Sequence, residues 1–333
     1  MKVGILGAGS WGSALAILFG NVATVSLWSK NEAQVLQMQQ TKTNVGYLPK
    51  DILFPPNVKH TSVLLDLLEC EILIIAVPTN AMYEVLLQLK CLPFVLFPDL
   101  LWVCKGFEKN SLKLPHEIVV EVMGGEFRNY GAILGSSFAE EVVQGTPTAV
   151  TLASFNTDFA FKIIKEFLTL PNFRMYANSD LIGCEVGGAI KNVIAIAVGI
   201  SDGLGLGLNA RAALITRSLN EINKLVVKLG GQERTIYGLA GIGDLILTCT
   251  GDLSRNRQVG IMLAKGESID EITVKLGHVA EGVYTVFAVR TLSLKLLIDM
   301  PIVEAVYNII YTRANIMDSV LKLLNREPKL EFI

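Results

Sequence analysis

Residues 185–200, EVGGAIKNVIAIAVGI, are small and apolar almost throughout, yet Lys191 stands in the middle of them. A cation on a helix that reads as core has two fates. It snorkels to solvent along its aliphatic stem, or it faces something that needs a proton or a positive charge. With 180–201 read as one helix, Gly187 and Gly188 lie one turn toward the N-terminus, the direction in which helical side chains lean. Lys191 then overlies a notch without side chains, next to Ala195, and such a notch admits a ligand. Each glycine costs about 1 kcal/mol in a helix interior, and that expense points to a close approach.

The densest stretch is GLAGIGDLILTCTGDLSRNRQVG, residues 238–260. Asp244 follows Gly241 and Gly243, and Thr248 shares its face if DLILT is helical; Asp244 as a helix N-cap is compatible with a catalytic role. Ser254 reads as the cap of another helix, followed by Arg255, Asn256 and Arg257. Free N–H groups and a guanidinium make a phosphate cradle, or else an ordinary capped surface helix. Lys105, in VCKGFE, ends an apolar strand, where open α/β sheets place their ligands. It polarises a carbonyl, holds an anion, or merely meets solvent. LGSSFAEE (134–141) ends another strand with Ser136 and Ser137, an anion-friendly helix start or a plain N-cap.

These groups need a cofactor platform, and GAGSWG (7–12) has the form G-x-G-x-x-G. Gly7 permits a tight turn, Gly9 lets a pyrophosphate approach the backbone, and Gly12 packs helix on strand. The phosphate then meets the free N–H groups of a helix beginning near Ser10. An acid at the end of the second strand suits the ribose 2′-hydroxyl of NAD, and a base suits the 2′-phosphate of NADP. SLWSKN ends in Ser29 and Lys30 with no acid before Glu32, so NADP is favoured, with NAD possible.

The elements that position these residues follow from the pattern. KVGIL, ATVSLW (23–28), EILIIAV (71–77), LLWVCK (100–105), YGAIL (130–134) and TAVTLA (148–153) read as strands. Helical spacing lies between them at 81–89 and after them at 158–168, which is the βαβ grammar of a doubly wound sheet. From about 180 the texture turns helical, at 180–201, 209–229, 255–264, 283–298 and 302–324, with no clear strand. The uncharged run from Val3 to Ser29 imitates a signal peptide or membrane span. Its glycines and polar residues suit strand–turn–helix–strand better.

Composition narrows the function. The 333 residues carry a net charge of −2, with 51% hydrophobic and 18% charged residues. That is no nucleic-acid footprint, and the length suggests two domains. Cys70, Cys91, Cys104, Cys184 and Cys249 are scattered, without Cys-x-x-Cys, and His60, His116 and His278 form no cluster. A metal site or disulfide framework is therefore not expected, and a reducing, cytoplasmic location is.

The chain resembles the bacterial-type, NAD(P)-dependent glycerol-3-phosphate dehydrogenases from end to end. GAGSWGSALA, KGFE, GSSFAEE, GGAIKNVIAIAVGISDGLGLGLNARAALITR, GLAGIGDLILTCTG, LSRNRQVG, AEGVYT and PIVEAVY carry the resemblance. It implies an α/β Rossmann-type N-terminal domain (1–180) with a doubly wound, mainly parallel sheet. An all-α domain (181–333) follows, with the site in the cleft between them. It implies cofactor contacts at Ser10, Trp11, Lys30, Lys105, Ala139, Arg255, Val279 and Glu281, beside the glycines. It implies substrate contacts at Lys105, Gly135, Ser137, Lys191, Asp244, Ser254, Arg255 and Asn256. Lys191 matches the family's catalytic acid/base, and Asn192 and Thr248 match supporting positions. Ser136 departs from the usual proline, and the turn at GNVATV is about one residue short.

The implied reaction is hydride transfer from the nicotinamide to C2 of dihydroxyacetone phosphate, with Lys191 as proton donor. Lys105 and Asn192 stabilise the developing charge and Asp244 orients Lys191. The product, sn-glycerol 3-phosphate, is the phospholipid backbone, and a homodimer without a membrane span is expected. A β-hydroxyacid dehydrogenase would need a carboxylate anchor instead of SRNR, which a substrate panel separates. A ligand-sensing NADP protein would bind cofactor without turnover.

Overall fold

The computed structural model describes residues 1–124, 129–277, 280–327 and 330. The first half alternates β1 (Lys2–Leu6), α1 (Ser10–Gly20), β2 (Thr24–Trp28), α2 (Glu32–Thr41), β3 (Val58–Thr61), β4 (Ile72–Ile75) and α3 (Thr79–Lys90). It continues with β5 (Asp99–Trp102), α4 (Pro115–Met123), β6 (Tyr130–Leu134), α5 (Ala139–Val143), β7 (Thr148–Ala153), α6 (Thr157–Glu166) and β8 (Phe173–Asn178). The strands form one sheet in the order β3-β2-β1-β4-β5-β6-β7-β8. Neighbours are parallel except β6 with β7.

This is the mainly parallel, doubly wound sheet the sequence predicts. Its central runs are apolar on both faces, as in β4, because helices cover both sides. The chain works outward from β1 to β3 and resumes on the other side at β4. The crevice beyond the carboxyl ends therefore opens between β1 and β4, directly over the GAGSWG turn. The uncharged run at 3–29 is β1, α1 and β2.

Two strands escape the sequence pattern. β3 is four residues long and sits at the sheet edge. β8 alternates buried Phe173 and Met175 with exposed Arg174 and Tyr176, the signature of a half-covered strand.

Helices make up the second half: α7 (Leu181–Gly203), α8 (Gly207–Lys228), α9 (Asp244–Thr250), α10 (Arg255–Ala264), α11 (Ile269–Leu276), α12 (Glu281–Lys295), α13 (Pro301–Tyr311) and α14 (Ile316–Leu324). No strand follows β8 among the described residues. α7 is the axis, contributing Val186, Ile190, Val193, Ile194 and Val198 to the helical core while Leu181 and Cys184 join the core beneath the sheet. Of the described helices, α7 is the one long and apolar enough to cross a membrane, yet 94% of its most apolar window is buried inside the protein.

Two helical expectations are corrected. The predicted 302–324 helix is divided, because Arg313 adopts a left-handed φ of 55° and Asn315 caps α14 by accepting from the Asp318 amide. The helices α2, α4 and α11 were not expected, although Ser268 and Glu271 form a capping box at the start of α11.

Candidate active site

The cofactor platform is built by close packing. Gly7 has φ of +121°, and a Cβ there would lie 2.7 Å from the Ala76 carbonyl carbon of the neighbouring strand end. A Cβ on Gly12 would meet the Gly7 carbonyl oxygen at 1.9 Å, so α1 can approach β1 only with glycine there. At Gly9 nothing lies within 4 Å of the Cβ position. The turn is thus closed at its two outer glycines and open at the middle one, above the start of α1. That arrangement fits a dinucleotide pyrophosphate.

Residues distant in sequence hold the turn. The Ala8 carbonyl accepts from Gln34 Nε2 (2.7 Å) and from the buried Asn44 Nδ2 (2.9 Å), and Asn44 also donates to Ser13 Oγ at 2.7 Å. No sequence signal marks Gln34 or Asn44, because both act across intervening elements. Ser29, at the end of β2, donates its hydroxyl to Gln34 Oε1 at 2.7 Å. Lys30 beside it is exposed and makes no such hydrogen bond among the described residues. Trp11 is half-buried in the first turn of α1, and Ala139 opens α5, which packs on α1.

Across the cleft, two lysines converge on one carboxylate. Asp244, 1% exposed, accepts from Lys191 Nζ on Oδ1 (2.5 Å) and from Lys105 Nζ on Oδ2 (2.7 Å). Lys105 also donates to the Gly135 carbonyl at 3.0 Å, tying the ends of β5 and β6 to the helical half. Gly135 itself turns with φ of +133°. Burial pushes the Lys191 pKa down to about 8; the Asp244 charge opposes that, and the second ammonium, on Lys105, adds to it.

The glycine notch beneath Lys191 is filled by protein, which corrects the expectation that it admits a ligand. A Cβ on Gly187 would lie 3.0 Å from the Ala240 carbonyl oxygen, and one on Gly188 would touch the Lys105 stem at 3.7 Å. Gly187 therefore lets the Ala240 backbone, four residues before Asp244, come close to α7, while the Lys105 stem lies at ordinary contact distance over Gly188. The Asp244 side is delivered by a π-helical segment, Leu239–Gly243, bent at Gly241 (φ −102°, ψ −107°), a distortion frequent at functional sites. Gly243, not Asp244, is the N-cap of α9, so the Asp244 carboxylate is left for the lysines. Thr248 spends its hydroxyl on the Asp244 carbonyl at 2.6 Å, bracing the helix that carries Asp244.

The SRNR stretch does start a helix. Ser254 is buried and caps α10, accepting from the Arg257 amide at 3.3 Å. Arg257 turns inward onto Asp202 (2.8 Å), which also takes Arg211 at 2.8 Å. Arg255 is exposed, and no ion pair or hydrogen bond holds it among the described residues. Asn256 donates to Asn192 Oδ1 at 2.9 Å and accepts from the Gly282 amide at 3.0 Å. Helices α7 and α10 touch through glycine: a Cβ on Gly199 would meet the Arg257 carbonyl oxygen at 2.1 Å, and one on Gly260 the Ile196 carbonyl oxygen at 2.1 Å.

Glu281 stays open to water on the cleft wall, yet a dense shell of atoms raises its carboxyl pKa against the pull of Arg255, Lys191 and Lys105. One region thus gathers Lys105, Gly135, Lys191, Asn192, Asp244, Arg255, Asn256 and Glu281. Ser137 sends its hydroxyl back to the Gly135 carbonyl at 3.3 Å, and Phe138, not either serine, is the N-cap of α5. Lys30 lies apart, at the far end of the cofactor crevice. Val279 falls outside the described residues.

Comparison with known proteins shows the family of the chain. The NAD-dependent glycerol-3-phosphate dehydrogenase N-terminus matches residues 2–160, and the C-terminus of the same family matches 180–321. The chain is 47% identical over 332 residues to the glycerol-3-phosphate dehydrogenase [NAD(P)+] of Nitrosomonas eutropha, covering 99% of each. It is 46% identical to that of Dechloromonas aromatica, again over 99% of each. The crystal structure of glycerol-3-phosphate dehydrogenase from Coxiella burnetii superposes with a TM-score of 0.91 at 41% identity, covering 98% of this chain and 99% of that one.

Proposed function

The chain belongs to the NAD-dependent glycerol-3-phosphate dehydrogenase family, and from that premise we infer that it reduces dihydroxyacetone phosphate reversibly to sn-glycerol 3-phosphate. The reductant is NADH or NADPH, and the product supplies the phospholipid backbone. The observation that carries the site assignment is the pair of ammonium groups on one buried carboxylate.

The bound dinucleotide supplies the hydride; its holders are Gly7, Gly9, Ser10, Trp11 and Gly12, with Lys30, Ala139 and Glu281 along the crevice. Lys191, as ammonium, gives the proton to the carbonyl oxygen, and takes it back in the reverse direction. Asp244 aims Lys191 and keeps it charged against its burial. Lys105 and the Asn192 amide face the growing negative charge. Arg255 and the open N–H groups at the start of α10, with Ser254 and Asn256, hold the substrate phosphate, and Gly135 and Ser137 shape the wall opposite. The exposed guanidinium of Arg255, which makes no hydrogen bond or ion pair among the described residues, supports that reading, because a phosphate gives it a partner.

We place the domain division near residue 180, where β8 gives way to α7. Five unpaired cysteines support a reducing, cytoplasmic location. A homodimer is supported by the apolar residues left exposed on α8, α13 and α14, among them Leu208 (72%) and Leu324 (71%). Light scattering then gives twice the 36.2 kDa chain mass.

Steady-state assays with dihydroxyacetone phosphate and each reduced cofactor test the whole reading. Turnover is expected with both, with the higher kcat/KM for NADPH because Lys30 stands at the end of β2 without an acid. Cofactor binding without turnover removes the enzyme assignment, and an NADH preference removes the role of Lys30.

A further inference from the structure

Asparagine is ambivalent: turned by 180°, its amide presents a donor where it presented an acceptor. At Asn192 the choice decides whether the cleft meets N–H groups or a carbonyl oxygen, and only the former can stabilise a developing oxyanion. The structure contains a group that makes the choice. The backbone N–H of Gly282, in the first turn of α12, can only donate, and it meets Asn256 Oδ1 at 3.0 Å. That contact fixes which end of Asn256 is the amide nitrogen, and this nitrogen lies 2.9 Å from the Asn192 side chain. The Asn192 atom that meets it must be the acceptor, Oδ1.

The consequence falls on the remaining atom. Asn192 Nδ2 has no acceptor among the described residues, and it is not among the side-chain atoms sealed from solvent without a partner. Its N–H groups are therefore left to the cleft. The reference donor is held close by necessity, since a Cβ on Gly282 would lie 2.7 Å from both Asn256 Oδ1 and the Asn192 carbonyl oxygen.

We propose that Asn256 is a positioning residue that fixes the polarity of the Asn192 amide, reading it from the Gly282 N–H. The relay joins α12, α10 and α7, so the helix start that borders the cofactor side sets a donor on the substrate side. The second N–H of Asn256 remains available for the substrate phosphate, so the two roles coexist. The proposal rests on the reading that Asn192 faces the reacting oxygen.

A double-mutant cycle tests it, with single-turnover hydride transfer from NADPH to saturating dihydroxyacetone phosphate as the readout. Asn192→Ala is expected to slow transfer about 10-fold or more, as loss of a charge-stabilising donor does. Asn256→Ala should slow it more in the wild-type background than once Asn192 is alanine, where only the Asn256 contact to the substrate phosphate is left to lose. Asn256→Asp keeps an acceptor for Gly282 but cannot donate to Asn192, so it should match or exceed the loss of Asn256→Ala. This near-isosteric variant also carries the test if the alanine variant does not fold, and NADPH affinity within threefold of wild type verifies the fold of each protein. Losses at the two positions that simply multiply, or an Asn256→Asp variant at wild-type rate, overturn the relay while leaving Asn192 in the site. An Asn192→Ala variant at wild-type rate overturns the relay together with the reading of Asn192 on which it rests.

Discussion

At Lys191 three effects compete for one proton. Removal from water disfavours the ammonium, Asp244 favours it, and Lys105 disfavours it again, leaving a pKa of about 8. A group poised there can both give and take a proton near neutrality. In reduction the ammonium is the working form, present below that pKa, so kcat for dihydroxyacetone phosphate should fall as pH rises through about 8. In oxidation the neutral amine works, and kcat for sn-glycerol 3-phosphate should rise through the same range. Lys191→Met should lower single-turnover hydride transfer by about 10²–10⁴ and abolish both pH limbs, with cofactor affinity little changed. A rate within threefold of wild type removes Lys191 from the chemistry.

Between elements, glycine rather than charge sets the distances. Gly187 lets the Ala240 backbone lie against α7, and Gly199 and Gly260 let α10 lie against it further along. The start of α10 is thus placed by a contact in its own first turn, at Arg257, and by one more than a turn from that start, at Gly260. A methyl group at Gly260 would sit 2.1 Å from the Ile196 carbonyl oxygen, so the two helices must part. Gly260→Ala should therefore cost about 1–3 kcal/mol in urea unfolding and raise KM for dihydroxyacetone phosphate more than it lowers kcat. Loss of stability with an unchanged KM would mean that α10 is placed by something other than this contact.

Over the whole molecule, α7 is where the two halves are fastened. Its buried Glu185 accepts from Trp102 Nε1 on β5 at 2.9 Å and from the His116 backbone amide, at the start of α4, at 3.0 Å, and it contacts the His116 ring as well. Burial raises the Glu185 pKa while His116 and Trp102 draw it back. Three residues beyond Trp102 stands Lys105, and less than two turns beyond Glu185 stands Lys191, so this latch sets the register of the two lysines. Trp102→Phe keeps an aromatic ring but leaves the carboxylate one donor short, at a cost of about 1–3 kcal/mol. For a chain of this size that is a fall in Tm of roughly 1–2 °C per kcal/mol. An unchanged Tm would show that water replaces the indole N–H.

Much of this was legible in one dimension because its causes are local. The G-x-G-x-x-G turn, the apolar parallel strands and the Ser254 cap each announce themselves within a few residues, since backbone geometry and capping act over that range. Lys191 stood out for the same reason, a charge in an apolar helix. Its meaning was not local: the notch beside it reads equally as room for a ligand or for protein. Only the fold shows the Ala240 backbone and the Lys105 stem filling it. Gln34 and Asn44 on the Ala8 carbonyl, Glu185 on Trp102, and Asn256 on Asn192 lie 26 to 83 residues apart along the chain. Such hydrogen bonds leave no periodicity to read, because their geometry exists only after the sheet and α7 have packed. The sequence by itself determined the glycine turn, the apolar strands and the charge set into an apolar helix, because those causes are local. The tertiary structure decided which side chains meet and which way each of them points, because that geometry arises only on packing.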